Sequence, residues 1–272
     1  MVAARTRSDT RSRRRATPAH DGPERPFIWR EVLWPLDWLS LRLSPVYLGF
    51  GVPRGDGGPV VLVPGFMTAD FYMVEMYFWL QRIGYNPFLS GIGLNAGCIH
   101  ESTQRLENTV DDVRRKTGRP VRMIGHSLGG VLARRVALHR PDIVTQLISL
   151  GSPIRSLEAH PILIATATLF QDRVKHSTPG EGTVRGPVIY LDDRCECSTD
   201  HCVPAPASSV RRAALYSRED GMIRWQNCLE PDTSHNYEVG GTHIGLVFNP
   251  RVYRAIANLL AEGAHVSRRQ AA

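Results

Sequence analysis

The chain has 272 residues, of which 42% are hydrophobic, and a formal net charge of +7. That length suits one large α/β domain or two small ones, with enough apolar residues for a real core. The basicity is a tail property: residues 1–30 hold eight arginines against Asp9, Asp21 and Glu24, so the body is near neutral and a nucleic-acid-binding domain is not expected.

Residues 1–26 lack large apolar side chains and read as a disordered basic tail. Arg13-Arg14-Arg15 resembles a twin-arginine signal, but no apolar h-region follows it. With no run of roughly 18 apolar residues either, the expectation is a cytoplasmic protein. Phe27 to Phe50 contains Trp29, Trp34 and Trp38, with Pro35 suited to a first helical turn and Leu36, Leu39 and Leu43 at helical spacing. That stripe is expected to pack on the body; the alternative is a peripheral membrane contact through residues 27–44, beside the basic tail.

Val60 to Val63 is an apolar, β-branched run, as in a strand buried on both faces. Asp70 to Gly84 is a helix candidate with Phe71, Val74, Phe78 and Ile83 roughly on one side. A short strand at Asn86–Ser90 and a helix at Leu106–Lys116 follow. Further strands are expected at Val121–Ile124 and Val144–Leu150, with a helix between them that Pro141 ends. From 155 to 211 the rhythm breaks into Gly-, Pro- and Cys-rich sequence, expected to form a cap over the strand ends. Regularity returns with strands at Ala213–Ser217 and around Asn236–Val239, and a last helix at about Arg251–Glu262, with Val252, Ile256, Leu259 and Leu260 facing inward. Short strands alternating with helices indicate an α/β fold with a mostly parallel, doubly wound sheet. Its core is expected over 27–154 and 212–265.

Gly125-His126-Ser127-Leu128-Gly129 stands between a strand and a helix. There, G-x-S-x-G works as a nucleophile elbow: a sharp, strained turn lifts the serine clear of the sheet, and the glycines leave room for neighbouring backbone. A serine hydroxyl needs a base, and the base needs an orienting acid. In the order Ser…Asp…His, Asp220 follows a strand and precedes Gly221, and His243 lies in a glycine-flanked loop before the final helix. Asp192 or Asp193 and His235 are the competitors. A tetrahedral intermediate also needs two backbone N–H donors, expected from Leu128 and from Phe66 in the Pro64-Gly65-Phe66 turn, with Met67 as the neighbouring alternative. His126 either lines the oxyanion side or packs.

Five motifs arrive in one order: Val60-Val-Leu-Val-Pro-Gly-Phe, Ile124-Gly-His-Ser-Leu-Gly-Gly, Ile148-Ser-Leu-Gly-Ser-Pro, Tyr216-Ser-Arg-Glu-Asp-Gly and Gly241-Thr-His-Ile-Gly. Over about residues 45–262 the chain resembles lipase-like α/β-hydrolases, bacterial esterases and triacylglycerol lipases among them. The resemblance implies the α/β-hydrolase fold, with Ser127 as nucleophile, Asp220 as acid, His243 as base, and Phe66 and Leu128 as oxyanion donors. Met67, Phe71 and His126 are the substrate-binding candidates, with a small-molecule or lipid ester as substrate. No cofactor, metal or nucleic acid is expected. An acyltransferase, amidase or thioesterase with the same triad, or a non-catalytic binding protein, are the other readings. Cys195, Cys197 and Cys202 with His201, and Cys228 further on, fall outside the family pattern. Free thiols are the plainest reading, ahead of a disulfide from Cys228 or a zinc site.

Overall fold

A computed structural model describes residues 28–156, 209–232 and 235–270. Outside them lie the basic tail, nearly all of the expected cap, the alternative acids Asp192 and Asp193, and Cys195, Cys197, His201 and Cys202.

Six strands form one sheet: β1 (Pro59–Val63), β2 (Asn86–Leu89), β3 (Val121–His126), β4 (Val144–Leu150), β5 (Arg211–Tyr216) and β6 (Asn236–Glu238). Their order is β2-β1-β3-β4-β5-β6, and every neighbouring pair is parallel. Parallel strands need crossovers, and helices cover both faces of the sheet. On one face lie α1 (Trp34–Leu43), α2 (Val74–Ile83) and the last helix, α5 (Pro250–Gln270). On the other lie α3 (Ile99–Thr117) and α4 (Leu128–His139). The central strands feed both cores by alternation: Val60 and Leu62 join the first, Val61 and Val63 the second.

Every expected strand appears within a residue or two, and Val252, Ile256, Leu259 and Leu260 are buried. The 70–84 segment differs. It opens with a 3-10 turn at Asp70–Met73, and its buried face is Met73, Met76, Trp79, Leu80 and Ile83, while Phe71 and Phe78 are exposed. The change of helix type rotates Phe71 off the expected face, and the Trp79 indole, donating to Val46 O at 2.9 Å, anchors the face that packs.

The N-terminal segment also packs, but with its other side. Leu36, Leu39 and Leu43 are 62%, 47% and 77% exposed, whereas Glu31, Asp37 and Leu41 face the body. The expected burial of the leucine stripe is therefore overturned. The carboxylates turn inward because the body offers them donors: backbone N–H groups for Glu31, and the Thr242 hydroxyl and Asn249 amide for Asp37.

Arg122, buried within β3, meets Asp56 in a two-pronged ion pair at 2.8 and 2.6 Å. The guanidinium hydrogen bonds outweigh burial and hold the Asp56 carboxyl well below the usual carboxylate range. Removing one partner strands a buried charge. Asp56→Ala is expected to lose about 3–5 kcal/mol of unfolding free energy, measured by urea titration with the slope unchanged.

Candidate active site

At the C-terminal end of β3 the chain turns into α4 through Ser127, whose backbone sits at φ 52°, ψ −124°. Such a conformation is strained for a residue with a Cβ and persists only where surroundings enforce it. Here they do. A Cβ on Gly125 would lie 2.5 Å from Gly129 O, and one on Gly129 would strike the carbonyls of Val63, at the end of β1, and of Pro64 just after it. Both glycines of the motif are thus dictated by helix-on-strand contact. The Ser127 N–H donates to Leu150 O at 2.8 Å, tying the elbow to β4. Leu128 is the first residue of α4, so its N–H has no intrahelical acceptor. Despite its arginines, α4 is buried from Leu128 through Ala137, and Glu230 meets the charge of Arg134.

The turn after β1 lies against this elbow: a methyl on Gly65 would stand 3.3 Å from Ser127 Cβ and 2.9 Å from His126 Nδ1. Asn95 fixes the turn. Its side-chain amide donates to Pro64 O at 2.8 Å, its N–H donates to Thr68 O, and its carbonyl accepts the Met67 N–H, both at 2.9 Å. That last bond removes Met67, which sits at φ 57°, from the candidates for an oxyanion donor, because its N–H is committed elsewhere. Asn95 is absent from the expectations above, and nothing in its sequence setting marks it.

Asp220 and His243 come together beyond the ends of β5 and β6. Asp220 Oδ2 accepts from His243 Nδ1 at 2.6 Å, and Oδ1 accepts from the N–H groups of Met222 and Ile223 at 2.8 and 2.7 Å. Both side chains are almost wholly buried. With Nδ1 carrying the proton toward the carboxylate, Nε2 is left with its lone pair. Burial pushes His243 down, but the charge and hydrogen bond of Asp220, joined by the charge of Glu31, outweigh it, and its pKa stands above 6.5. His235, the competing histidine, lies before β6 and pairs with Asp232 at 3.2 Å on the surface.

His126 lies beneath the base. Its ring centroid is 4.8 Å from that of His243, and its Nε2 is 3.0 Å from His243 O. A carbonyl can only accept, so Nε2 holds the proton and Nδ1 is a bare acceptor, buried with no hydrogen-bond partner among the described residues. Burial, then the neighbouring His243, push its pKa down to about 3. Tyr72 closes the same side, its ring 5.5 Å from His126 and its hydroxyl donating to Ile244 O at 2.9 Å. Phe71, next to it, is exposed. Asn95 and Glu31 are the site-building residues that the sequence alone did not single out.

No family model matches the chain. Its six-stranded parallel sheet, with a strained serine elbow after β3, superposes on solved lipases. Bacillus licheniformis lipase BlEst2 in its mature form matches with a TM-score of 0.54 at 15% identity, over 77% of this chain and 94% of that one. Aspergillus fumigatus lipase B matches with a TM-score of 0.52 at 15% identity, over 79% and 54%. The chain has the α/β-hydrolase fold. Among curated proteins, the chain is 24% identical over 197 residues to the mouse mitochondrial palmitoyl-protein thioesterase ABHD10, covering 65% of this chain and 63% of that protein. It is 27% identical over 146 residues to a triacylglycerol lipase of Burkholderia plantarii, covering 49% and 41%. The matched segments thus span less than two thirds of either relative.

Because His126 is neutral when folded but takes up a proton near pH 6.5 when unfolded, its contribution to stability is fully present above 6.5 and is lost as pH falls toward 3. In His126→Asn, which retains a donor toward His243 O, the decline of the melting temperature between pH 6.5 and 4 is expected to be shallower than in the wild type. Thermal melts across that range measure it.

Proposed function

We propose that this α/β-hydrolase is a serine hydrolase cleaving carboxylic esters with an apolar acyl part. The observation that carries the proposal is the 2.6 Å Asp220–His243 pair, buried at the ends of neighbouring strands behind a strained serine at the end of β3. In this reading Nε2 of His243 takes the Ser127 proton as Oγ attacks the acyl carbonyl. The N–H groups of Leu128 and Phe66 stabilise the developing oxyanion, His243 protonates the leaving alcohol, and water then releases the acid from the acyl-enzyme. Asp220 holds the imidazole in the tautomer this requires. His126 acts from below on the backbone of the base, and Met67 and Phe71 flank the oxyanion turn as contacts for an apolar chain.

Ser127→Ala is expected to lose at least about 10³-fold in hydrolysis of p-nitrophenyl acyl esters, and to lose all labelling by a fluorophosphonate. Retained activity would refute the nucleophile. Since His243 must be neutral to accept a proton and its protonated form is favoured, the acid limb of kcat/KM should have its midpoint above pH 6.5. Asp220→Asn should lower the rate by about 10⁴-fold.

A second reading rests on one specific relative: the mouse protein is named a palmitoyl-protein thioesterase. A thiolate leaves an acyl carbonyl more readily than an alkoxide, and the same triad serves both. Paired acyl-ester and acyl-thioester series of increasing chain length distinguish the readings by which has the higher kcat/KM.

The substrate reading also gives the outward stripe of α1 a use. Leu36, Leu39 and Leu43, with Trp29 and Val32 in the turn before α1, expose large apolar surface next to a sequence segment with eight arginines in thirty residues. Apolar face plus cationic flank fits an anionic lipid surface. Among the described residues no helix is long and apolar enough to cross a membrane, so contact would be peripheral. Co-sedimentation with phosphatidylserine-containing vesicles is expected for the full chain and should be lost in Leu36→Glu/Leu39→Glu/Leu43→Glu. Unchanged co-sedimentation would reject the stripe. Concentration-dependent dimers abolished by those substitutions, without vesicle binding, would assign it to a second copy of the chain instead.

A further inference from the structure

The N-terminal turn carries a buried carboxylate that no triad chemistry calls for. Glu31 is 5% exposed, and no cation pairs with it among the described residues. Its charge is met by backbone instead. Oε1 accepts from the N–H of Gly221 at 2.8 Å and of His243 at 2.9 Å, and Oε2 accepts from the N–H of Ile244 at 2.8 Å. Burying a carboxylate is costly unless hydrogen bonds replace its hydration, and bonds from N–H groups to an ionised acceptor are among the strong ones. All three donors are informative by position. Gly221 directly follows the acid Asp220; His243 is the base; Ile244 follows it and supplies the carbonyl that Tyr72 holds. One side chain therefore spans the loop after β5 and the loop after β6, the two segments whose separation sets the Asp220–His243 distance.

We infer that Glu31 is a positioning residue of the catalytic site, clamping the acid loop to the base loop and placing a second negative charge beneath the base. The inference rests on the serine-hydrolase reading above. Mechanically, the clamp fixes the His243 backbone from one side while its carbonyl is held from the other by His126 Nε2 at 3.0 Å. With both its N–H and its C=O bonded to the frame, the base has little freedom except about its side-chain torsions, which the Asp220 bond then sets. Such restraint is what near-attack geometry requires, since small misplacements of a catalytic group cost rate steeply. Electrostatically, the charge of Glu31 favours imidazolium, the form His243 takes as the serine proton leaves. The groups facing that imidazole are Asp220 from the β5 loop, His126 from the elbow and Glu31 from the N-terminal turn. Asp37 and Tyr72 stand close enough to Glu31 to feel its charge.

The test uses the full chain and a fluorophosphonate, whose reaction with Ser127 needs the base but no knowledge of the natural acyl group. In Glu31→Gln one amide N–H₂ must face a backbone donor, and the charge is gone. The rate of phosphonylation is expected to fall about 10–10²-fold, and the acid limb of its pH dependence to move to lower pH. Glu31→Asp keeps the charge but is one methylene too short to reach both loops. Its rate should fall by about tenfold or more with the acid limb closer to that of the wild type, and it serves should Glu31→Gln fail to fold. A purely structural Glu31 would lower the melting temperature while leaving the labelling rate and acid limb at wild-type values in both variants, which overturns the inference. Ser127→Ala separates the two levels. If it still labels, the serine-hydrolase reading falls and the clamp with it. If it is silent while the Glu31 variants label at wild-type rates, the clamp alone falls.

Discussion

The structure turns on one strained residue. Ser127 holds a positive φ because α4 is pressed so closely onto the ends of β3 and β1 that neither Gly125 nor Gly129 has room for a side chain. Relaxing the elbow would mean backing the helix off the sheet, and α4 is buried along ten consecutive residues. Dense packing transmits that demand without slack. The same contact places the N–H of Leu128 at the free end of a helix and brings the Gly65 turn against Ser127 Cβ. Strand order does the remainder. With β3 followed by β4, β5 and β6 across the sheet, the ends bearing Ser127, Asp220 and His243 share one edge of the molecule.

Around this frame the polar groups form a layered support. Asp220 is itself oriented by two backbone N–H groups, His243 is bonded through both N–H and C=O, and the turn carrying Phe66 is braced by Asn95. Each support uses a buried polar atom that would be expensive to leave unpaired. Loosening one partner therefore threatens the next. Two acceptors among these supports have no hydrogen-bond partner among the described residues: Asn95 Oδ1 and His126 Nδ1, the latter lying at the Gly65 turn.

Much of the architecture was legible in the sequence because it rests on local patterns. β-branched runs announced the strands, and the turn glycines announced the elbow and its helix. Order along the chain selected Asp220 and His243 over their competitors, and the structure brings that pair together. What escaped was set by contacts remote in sequence. The leucine stripe of α1 has perfect helical spacing, yet spacing cannot say which side of a helix faces in; Glu31 and Asp37 decide that, through donors some two hundred positions away. Phe71 and Phe78 failed as core residues because a 3-10 turn shifts the phase of the helix that follows. Asn95 acts through a backbone carbonyl, and a carbonyl leaves no trace in a residue pattern.

The inverted α1 segment has a consequence for how the protein is made. Its carboxylates are synthesised well before the loops they hold, 220–221 and 242–244. Closing contacts across such separations is entropically slow. Until those loops exist, Glu31 and Asp37 lack these donors, and burying them would be costly. The sheet can assemble strand by strand in the meantime. Docking of the α1 segment therefore has to follow the formation of the 220–221 and 242–244 loops.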